Sequence, residues 1–540
     1  MKPASLVFKA WLGAALFLGL VSALGVAWAD DAAPDKPAAT ETEKVQRFDI
    51  WEFRVEGNTL LPKIDVERAV YPYLGPQKSI AQVEAARKEL QQRYRAAGYP
   101  TVLVDIPEQQ VRNGVVRLRV VEGKIEILRV TGSRYFSPVR IREQVPALAP
   151  DAVPNLPQAQ EQLAALNRDS ADRSVIPVMR PGKSPGTVEV ELKVKDQLPL
   201  HGDIEANNRY TEGTTHERLN ASLRYDNLWQ REHSLAMQMQ TSPQNTNEVK
   251  ALSATYLMHL PDSDKLLAFY GVRSESNVAT LGDINVVGNG NIAGARLIVP
   301  FAVRENYTHN LVFGADRKNF KESVILGADQ LNTPIQYTGF SVLYSGSRIG
   351  ENDTTRFSVG PNFGVRGLGN DEQEFADKRY DARPNYLYLR GNVENTHKWF
   401  RGTMLYAKLD AQLSDSPLIS NEQMSAGGAE SVRGYPEAMQ LGDYGVQGTI
   451  ELRSPYLGPA NADSLQDLHL LLFMDGAKLG IHEPLPDQQS NFILSSTGVG
   501  MRATAWRSMN LGLDWARALK DSGPVQKGDT RLHFRLGYGF

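Results

Sequence analysis

The residues with the clearest chemical potential lie in one unpatterned stretch. Between an alternating segment ending near Leu413 and another beginning near Gly445, residues 414–444 show no clear periodicity, and at their centre stands Ser431-Val432-Arg433-Gly434-Tyr435-Pro436. A connection of about thirty residues inside a folded chain is usually functional or disordered. If the stretch folds into a partly dehydrated space, Arg433 needs a carboxylate partner, and its planar fork suits bidentate binding. Gly434 permits a tight reversal or a close backbone approach. Tyr435 can pack its ring while its hydroxyl reaches water. The bland alternative is an ion pair on a mobile surface loop, which stabilises little. Alone, the Val-Arg-Gly-Tyr tetrad is a weak motif.

Constellations for catalysis or for holding a cofactor are poor by comparison. The nine histidines, at 201, 216, 233, 259, 309, 397, 469, 482 and 533, show no His-Glu-x-x-His spacing for zinc. No Gly-x-Ser-x-Gly elbow is present. The stretch Gly288-Asn289-Gly290-Asn291-Ile292-Ala293-Gly294 has the wrong spacing for a dinucleotide loop and reads as a flexible outer loop between strands. Asp262 and Asp264, following Pro261 and flanking Ser263, fit a solvated turn. The 540 residues contain no cysteine, which excludes disulfides, thiolate metal sites and a cysteine nucleophile. With 59 Lys+Arg against 62 Asp+Glu, the net charge of -3 argues against a nucleic-acid partner. No enzyme activity, cofactor or metal is expected.

The elements that must position the arginine begin with an export signal. Lys2 and Lys9 precede an apolar stretch from Ala10 to Ala29 that ends in Ala27-Trp28-Ala29 before Asp30-Asp31, so residues 1–29 read as a cleaved signal peptide. A single membrane anchor is the alternative. Residues 30–46, rich in Ala, Pro, Asp, Glu, Lys and Thr, read as a disordered periplasmic tether. Beyond residue 29 no run approaches 18 consecutive apolar residues, and the mean hydropathy is -0.36.

Two small mixed units follow. The first, 47–123, opens with Trp51-Glu52-Phe53-Arg54-Val55-Glu56-Gly57-Asn58, a strand and turn. Ile80, Val83, Leu90 and Tyr94 then recur at near-helical spacing behind the N-cap candidate Ser79, and Gly98 with Pro100 stops the helix. Val102 and Val104, then Val116, Leu118 and Val120, supply closing strands. The second unit, 124–195, repeats that order from Ile125, with a helix over Pro157–Asn167 and strands at Val175–Met179 and Val188–Val194. The repeated order resembles POTRA domains, the periplasmic polypeptide-transport modules.

From 196 to 540 the chain alternates. Leu405, Ala407, Leu409, Ala411 and Leu413 face one way against Tyr406, Lys408, Asp410 and Gln412; Val446, Gly448, Ile450 and Leu452 oppose Gln447, Thr449, Glu451 and Arg453. A soluble sandwich shares that period. A membrane barrel is favoured because charges sit on the polar faces, long connections alternate with short ones, and no helical segment interrupts the region. Leu532, Phe534, Leu536, Tyr538 and Phe540 share one face at the end. At about 20 residues per strand and connector, the even-number rule selects about 16 antiparallel strands, and lipid requires the sheet to close. The expected fold class is therefore two α+β modules followed by an all-β transmembrane barrel.

The whole mature chain then resembles one family, the two-partner secretion transporters (the TpsB group, haemolysin and filamentous-haemagglutinin secretion-activation proteins), within the wider outer-membrane insertase superfamily. The resemblance rests on Val432, Arg433, Gly434 and Tyr435 in the sixth outer loop, on the strand Leu468–Gly476 with Phe473 and Asp475 facing inward, and on Gly512-Leu513-Asp514. Phe534, Tyr538 and Phe540 resemble the barrel-assembly signal of a final strand. The resemblance implies that the loop folds back into the lumen and that Arg433 pairs with an aspartate on the wall. It also implies an outer-membrane channel in a Gram-negative bacterium that exports one large β-rich exoprotein and is itself inserted by the barrel assembly machinery among outer-membrane lipid, acting as a monomer. Where the family usually has glycine two positions after the first aspartate, this chain has Ala477, with Gly476 before it. Some members with a plugging helix have a longer leader than residues 30–46, which are short and proline-broken, so no helical plug, or only a rudimentary one, is expected. A barrel-assembly factor, which usually carries three or more modules, and a diffusion porin, which needs none, are the rival functions.

Overall fold

The computed structural model describes residues 46–540 apart from 247, 262, 277, 282–283, 322, 327–328 and 460–463, so the proposed signal peptide, nearly all of the tether and the question of a plugging helix lie outside the described residues. No helix among the described residues is long and apolar enough to cross a membrane, which leaves any crossing to strands.

The first module uses a parallel pair flanked by an antiparallel strand. Glu52–Glu56 runs parallel to Val115–Val121, which pairs antiparallel with Leu103–Asp105. Helices α1 (Lys63–Val70) and α2 (Ile80–Ala96) cover this sheet. At the start of α2, Gln82 Oε1 accepts from the backbone N–H of Ser79 at 2.8 Å. Val83, Leu90 and Tyr94 are buried as their spacing predicts, whereas Ile80 in the first turn is exposed. The second module repeats the plan: Lys124–Thr131 is parallel to Thr187–Asp196, Arg173–Pro181 is antiparallel to it, and α3 (Pro138–Glu143) and α4 (Leu156–Asp169) pack on one face. Each module has its own apolar core, centred on Leu90, Tyr94 and Leu118 in the first and on Ile125, Ile141 and Leu192 in the second.

Sixteen strands then close into a barrel. They are β1 (Leu200–Asn207), β2 (Arg218–Leu228), β3 (His233–Thr241), β4 (Lys250–His259), β5 (Leu266–Ser274), β6 (Gly290–Pro300), β7 (Tyr307–Phe320) and β8 (Ile335–Ile349). The second half comprises β9 (Asp353–Gly364), β10 (Leu387–Lys398), β11 (Met404–Ser414), β12 (Tyr444–Arg453), β13 (Leu465–Gly480), β14 (Asn491–Ala505), β15 (Met509–Ala518) and β16 (Thr530–Gly539). All neighbours are antiparallel, and β16 returns to β1 through Arg535–Gly539 against Asp203–Asn207. The expected strand number and closure are both found.

Side-chain alternation separates the two faces. On β13, Leu470, Leu472 and Met474 point out, with Leu472 58% exposed, while Leu471, Phe473 and Asp475 point in and are buried, Phe473 being only 3% exposed. Large apolar side chains left outside on strand after strand are stable only against lipid. Leu532, Leu536, Tyr538 and Phe540 share that outward face on and just after β16.

The structure departs from the sequence expectation at two places. A helix, α5 (Glu372–Lys378), does interrupt the barrel region, inside the connector 365–386 between β9 and β10. It is only seven residues long and is capped by Asp371, whose carboxylate accepts from the N–H groups of Gln373 and Glu374, so it is too short to stand out over a 3.6-residue period. Gly290–Gly294 is not an outer loop but the start of β6, pairing with β5 and β7. Its glycines make room: a Cβ on Gly294 would run into the ring of Tyr270 and the carboxylate of Asp316.

The second module is joined to the barrel by side-chain contacts. Arg173 donates to Glu232 at 2.7 Å and to the carbonyl of Leu166 at 2.8 Å, with its guanidinium over the ring of Phe136. Asn227 Nδ2 donates to the carbonyl of Tyr135 at 3.1 Å, and His201 Nε2 lies 2.9 Å from Asp172 Oδ2.

Candidate functional site

The connector between β11 and β12 has structure of its own. It folds back on itself through a short antiparallel pair, Met424–Ala426 with Gln440–Gly442. Gly427, Gly428 and Gly434 all adopt positive φ, at 109°, 110° and 93°, which lets the segment between them reverse tightly. The tip is carried into the lumen and Arg433 is only 3% exposed.

Five consecutive strands supply the wall around that tip, each through its inward-facing positions. Arg433 Nε donates to Asp475 Oδ2 and Nη2 donates to Asp475 Oδ1, both at 2.8 Å, so β13 holds the fork in bidentate fashion. Nη1 donates to Glu451 Oε1 of β12 at 2.8 Å and lies 3.7 Å from Asp514 Oδ1 of β15. The guanidinium carbon sits 3.4 Å from the ring centroid of Phe473. Glu451 is in turn held by Arg453, and Asp514 by both nitrogens of Arg502 at 2.8 Å. Three arginines thus face three carboxylates, the balance that a buried charge cluster requires. The packed side chain of Arg502 lies over Gly512, which is buried.

The neighbours of Arg433 complete the seating. Gly434 donates its backbone N–H to His533 Nε2 of β16 at 3.0 Å, which assigns the ring proton to Nδ1. Val432 and Tyr435 are fully buried with Met424, Ala426, Ala477, Leu479, Leu494 and Ala518. Ala477, which stands where the family pattern has glycine, fills part of this cluster. The Tyr435 hydroxyl does not reach water as the sequence suggests; it donates to the carbonyls of Ser495 and Lys520, at 3.0 and 2.8 Å. The tip is also tied to the first outer connector, because Glu437 N–H donates to Tyr210 O at 2.9 Å and Arg209 Nε donates to Glu437 Oε1 at 3.2 Å.

All eight residues of the loop and wall motifs therefore meet in one region. Tyr538 and Phe540 do not join it: they lie at the seam, where Phe540 exchanges backbone bonds with Gly202, while Phe534, whose N–H donates to Asn208 Oδ1 at 2.8 Å, also lines the cavity beside Arg433. Glu451, Arg453, Arg502 and His533 are neighbours of the site that motif reading misses, and Arg209 joins them from the first outer connector. The alternation that puts Glu451 and Arg453 on the inward face of β12 is the signal that could have found two of them. Beside the network remains a polar cavity of about 190 Å³, lined by Arg209, Lys408, Glu430, Arg433, Glu451 and Arg502. A space of that size has room for a few waters and not for a polypeptide strand.

A sequence profile for the family described as haemolysin secretion/activation protein ShlB/FhaC/HecB matches residues 186–503, more than half of the chain. The chain belongs to that family. A profile for the ShlB-type POTRA domain matches residues 48–123. The outer membrane transporter CdiB of Dickeya dadantii is 24% identical over 520 residues, spanning 91% of this chain and 87% of that protein. Among solved structures, CdiB from Escherichia coli aligns with a TM-score of 0.59 at 19% identity, covering 94% of this chain and 93% of that one. BamA from Haemophilus ducreyi lacking POTRA domains 1–3 aligns with a TM-score of 0.57 at 14% identity, covering 91% and 100%. At these identities the structural likeness shows the fold alone. As a member of the family, the chain is an outer-membrane transporter of two-partner secretion, with its POTRA modules in the periplasm.

Proposed function

We propose that modules 47–123 and 124–195 capture an extended secreted exoprotein in the periplasm, and that the loop 414–444 gates its path through barrel 196–540. Capture and threading are then driven by binding on one side of the membrane and folding on the other. An exposed sheet edge can pair with a client main chain, and pockets for alternate side chains add selectivity. In the second module Arg173–Pro181 is an edge strand with Ile176 exposed, and it suits that role. Folding at the cell surface then makes each step directional, because a folded segment cannot return.

The observation that carries the gating role is the buried Arg433 network. A loop held by charge-assisted bonds to β12 and β13 blocks the bore while it stays seated, and the same bonds can be exchanged for water when a client enters. The partner of this chain is read as a large exoprotein with an N-terminal secretion domain, in keeping with the family. The barrel would reach the membrane through the barrel assembly machinery and function as a monomer among outer-membrane lipid. No catalytic step is required by this mechanism.

Deleting residues 47–195 tests the capture role. The expected result is a heat-modifiable barrel that no longer secretes the product of the neighbouring gene; unimpaired export from the deletion would refute capture. The similarity to BamA keeps barrel assembly as a second reading. It would be supported if loss of the protein depleted other outer-membrane barrels while leaving the exoprotein secreted.

A further inference from the structure

The lumen loop has a second anchor, ten residues beyond Arg433, at its return to the wall. Asp443 immediately precedes β12 and is 0% exposed. Its carboxylate accepts from the N–H groups of Leu418 at 3.0 Å and His482 at 2.7 Å, from Gln423 Nε2 at 2.9 Å, and from both terminal nitrogens of Arg379. Arg379 follows α5 in the connector 365–386, and its backbone N–H donates to Phe375 O at 3.0 Å. The same guanidinium also donates to the carbonyls of Leu418 and His482. One arginine therefore grips three outer connectors at once: its own, the lumen loop through Asp443 and Leu418, and the 481–490 connector through His482.

Beneath this grip, an apolar cluster lies at the outer end of the barrel. Phe375 and Tyr386 from the 365–386 connector, and Leu418 and Ile419 from the lumen loop, pack with Tyr337 and Tyr388 and with the inward residues Ala251, Val272 and Ile292 of β4 to β6. Glu422 of the loop is buried there and accepts from Tyr337, from Tyr388 at 2.8 Å and from Lys318 at 2.6 Å. Two segments from different connectors share one apolar cluster and one ionic latch. Neither can withdraw alone without leaving a charge of the Arg379 and Asp443 pair buried and unpaired.

We propose that Arg379 and Asp443 are positioning residues that latch the 365–386 connector to the lumen loop, so that the two seal the outer end of the bore and leave it together. This rests on the reading of the loop as a gate and adds to it a second, outer seal with its own lock.

The absence of cysteine makes a clean test possible, since a thiol introduced as Ala382→Cys, at a position only 4% exposed within the cluster, is the sole one in the chain. A membrane-impermeant maleimide applied to intact cells should label it slowly in the parent and at least tenfold faster when Arg379→Ala is added. Single-channel conductance in planar bilayers should rise in Arg379→Ala, without Ala382→Cys, while the heat-modifiable band is retained. Should Arg379→Ala fail to assemble, Arg379→Lys keeps the charge but cannot span all four acceptors, and labelling between the two extremes is expected. An unchanged labelling rate in whichever variant assembles, or faster labelling with unchanged conductance, would overturn the latch. Neither measurement needs a client, so such a failure leaves the export reading standing, and lost client capture would count against that reading alone.

Discussion

Asp475 accepts the backbone N–H of Arg433 at 3.1 Å as well as both arms of its guanidinium at 2.8 Å. A single carboxylate on β13 thus fixes where the main chain of the loop lies and where its side chain points. The loop cannot slide along the wall and keep its ion pair; it is either seated or released. That two-state character is what a gate requires, and it follows from the geometry of one contact.

Truncating the arginine should release the loop. Arg433→Ala leaves Asp475 buried without its cation while Glu451 keeps Arg453, a loss on the order of 3 kcal/mol for one uncompensated buried charge. The barrel itself has sixteen closed ladders and should remain heat-modifiable. Protease digestion of intact cells should cut within 414–444, and bilayer conductance should rise. Arg433→Lys should fall between, because a point charge cannot reproduce the fork on Asp475 and the third bond to Glu451. Parent-like conductance and secretion in Arg433→Ala would remove the loop lock from the account.

Gly434 offers a separate handle on the same seat. Its φ of 93° is the cause of its identity, since a Cβ there would meet only ordinary contacts, 3.4 Å from Ala518 N and 3.5 Å from Ala516 Cβ. Gly434→Ala should therefore cost about 1–2 kcal/mol of left-handed backbone strain and little else. Gly434→Val adds methyl groups against that wall and should unseat the loop further. Loop protection from protease should fall in the order parent, alanine, valine; equal protection in all three would show that the turn tolerates side chains.

The alternation of β11, β12 and β13 made the two faces of the wall readable from sequence, because a period of two is enforced wherever one side meets lipid. The same alternation hides partners: Glu451, Arg502 and His533 are ordinary inward residues until the loop is placed among them, and placement is a tertiary fact. Helix α5 escaped notice because seven residues barely complete two turns and its single buried anchor, Phe375, sets up no repeat. Gly290–Gly294 looked like a loop because glycine is a turn signal, yet in β6 it answers to the bulk of Tyr270 and Asp316 across the lumen side. For the hydroxyl of Tyr435 the sequence points to water, because it carries no record of two carbonyls, Ser495 and Lys520, at the wall.

The junction between the second module and the barrel should depend on Arg173. Its side chain is nearly wholly enclosed, and it serves Glu232, Leu166 O and the face of Phe136 together. Arg173→Ala leaves Glu232 without its cation and opens space beside Phe136, so a loss of about 3 kcal/mol is expected. Limited proteolysis of the purified protein should then cut between 196 and 200 much faster than in the parent. If cutting is unchanged, the module is held by the backbone bonds of the junction instead.

The seam depends on a contact of a different kind. Phe540 exchanges two backbone bonds with Gly202, N–H to O at 2.9 Å and O to N–H at 3.1 Å, and its ring covers the space where a Cβ of residue 202 would lie. Two substitutions separate the ring from the ladder. Phe540→Ala keeps the backbone bonds but removes the aromatic group proposed as part of the assembly signal, so the amount of folded barrel in the outer membrane should drop severalfold. Gly202→Val keeps the aromatic group and pushes it off its seat, so assembly should proceed while the folded band melts at a lower temperature in detergent. If instead Gly202→Val reduces abundance as much as Phe540→Ala does, the ring acts through its packing on β1 and the assembly-signal role for Phe540 falls.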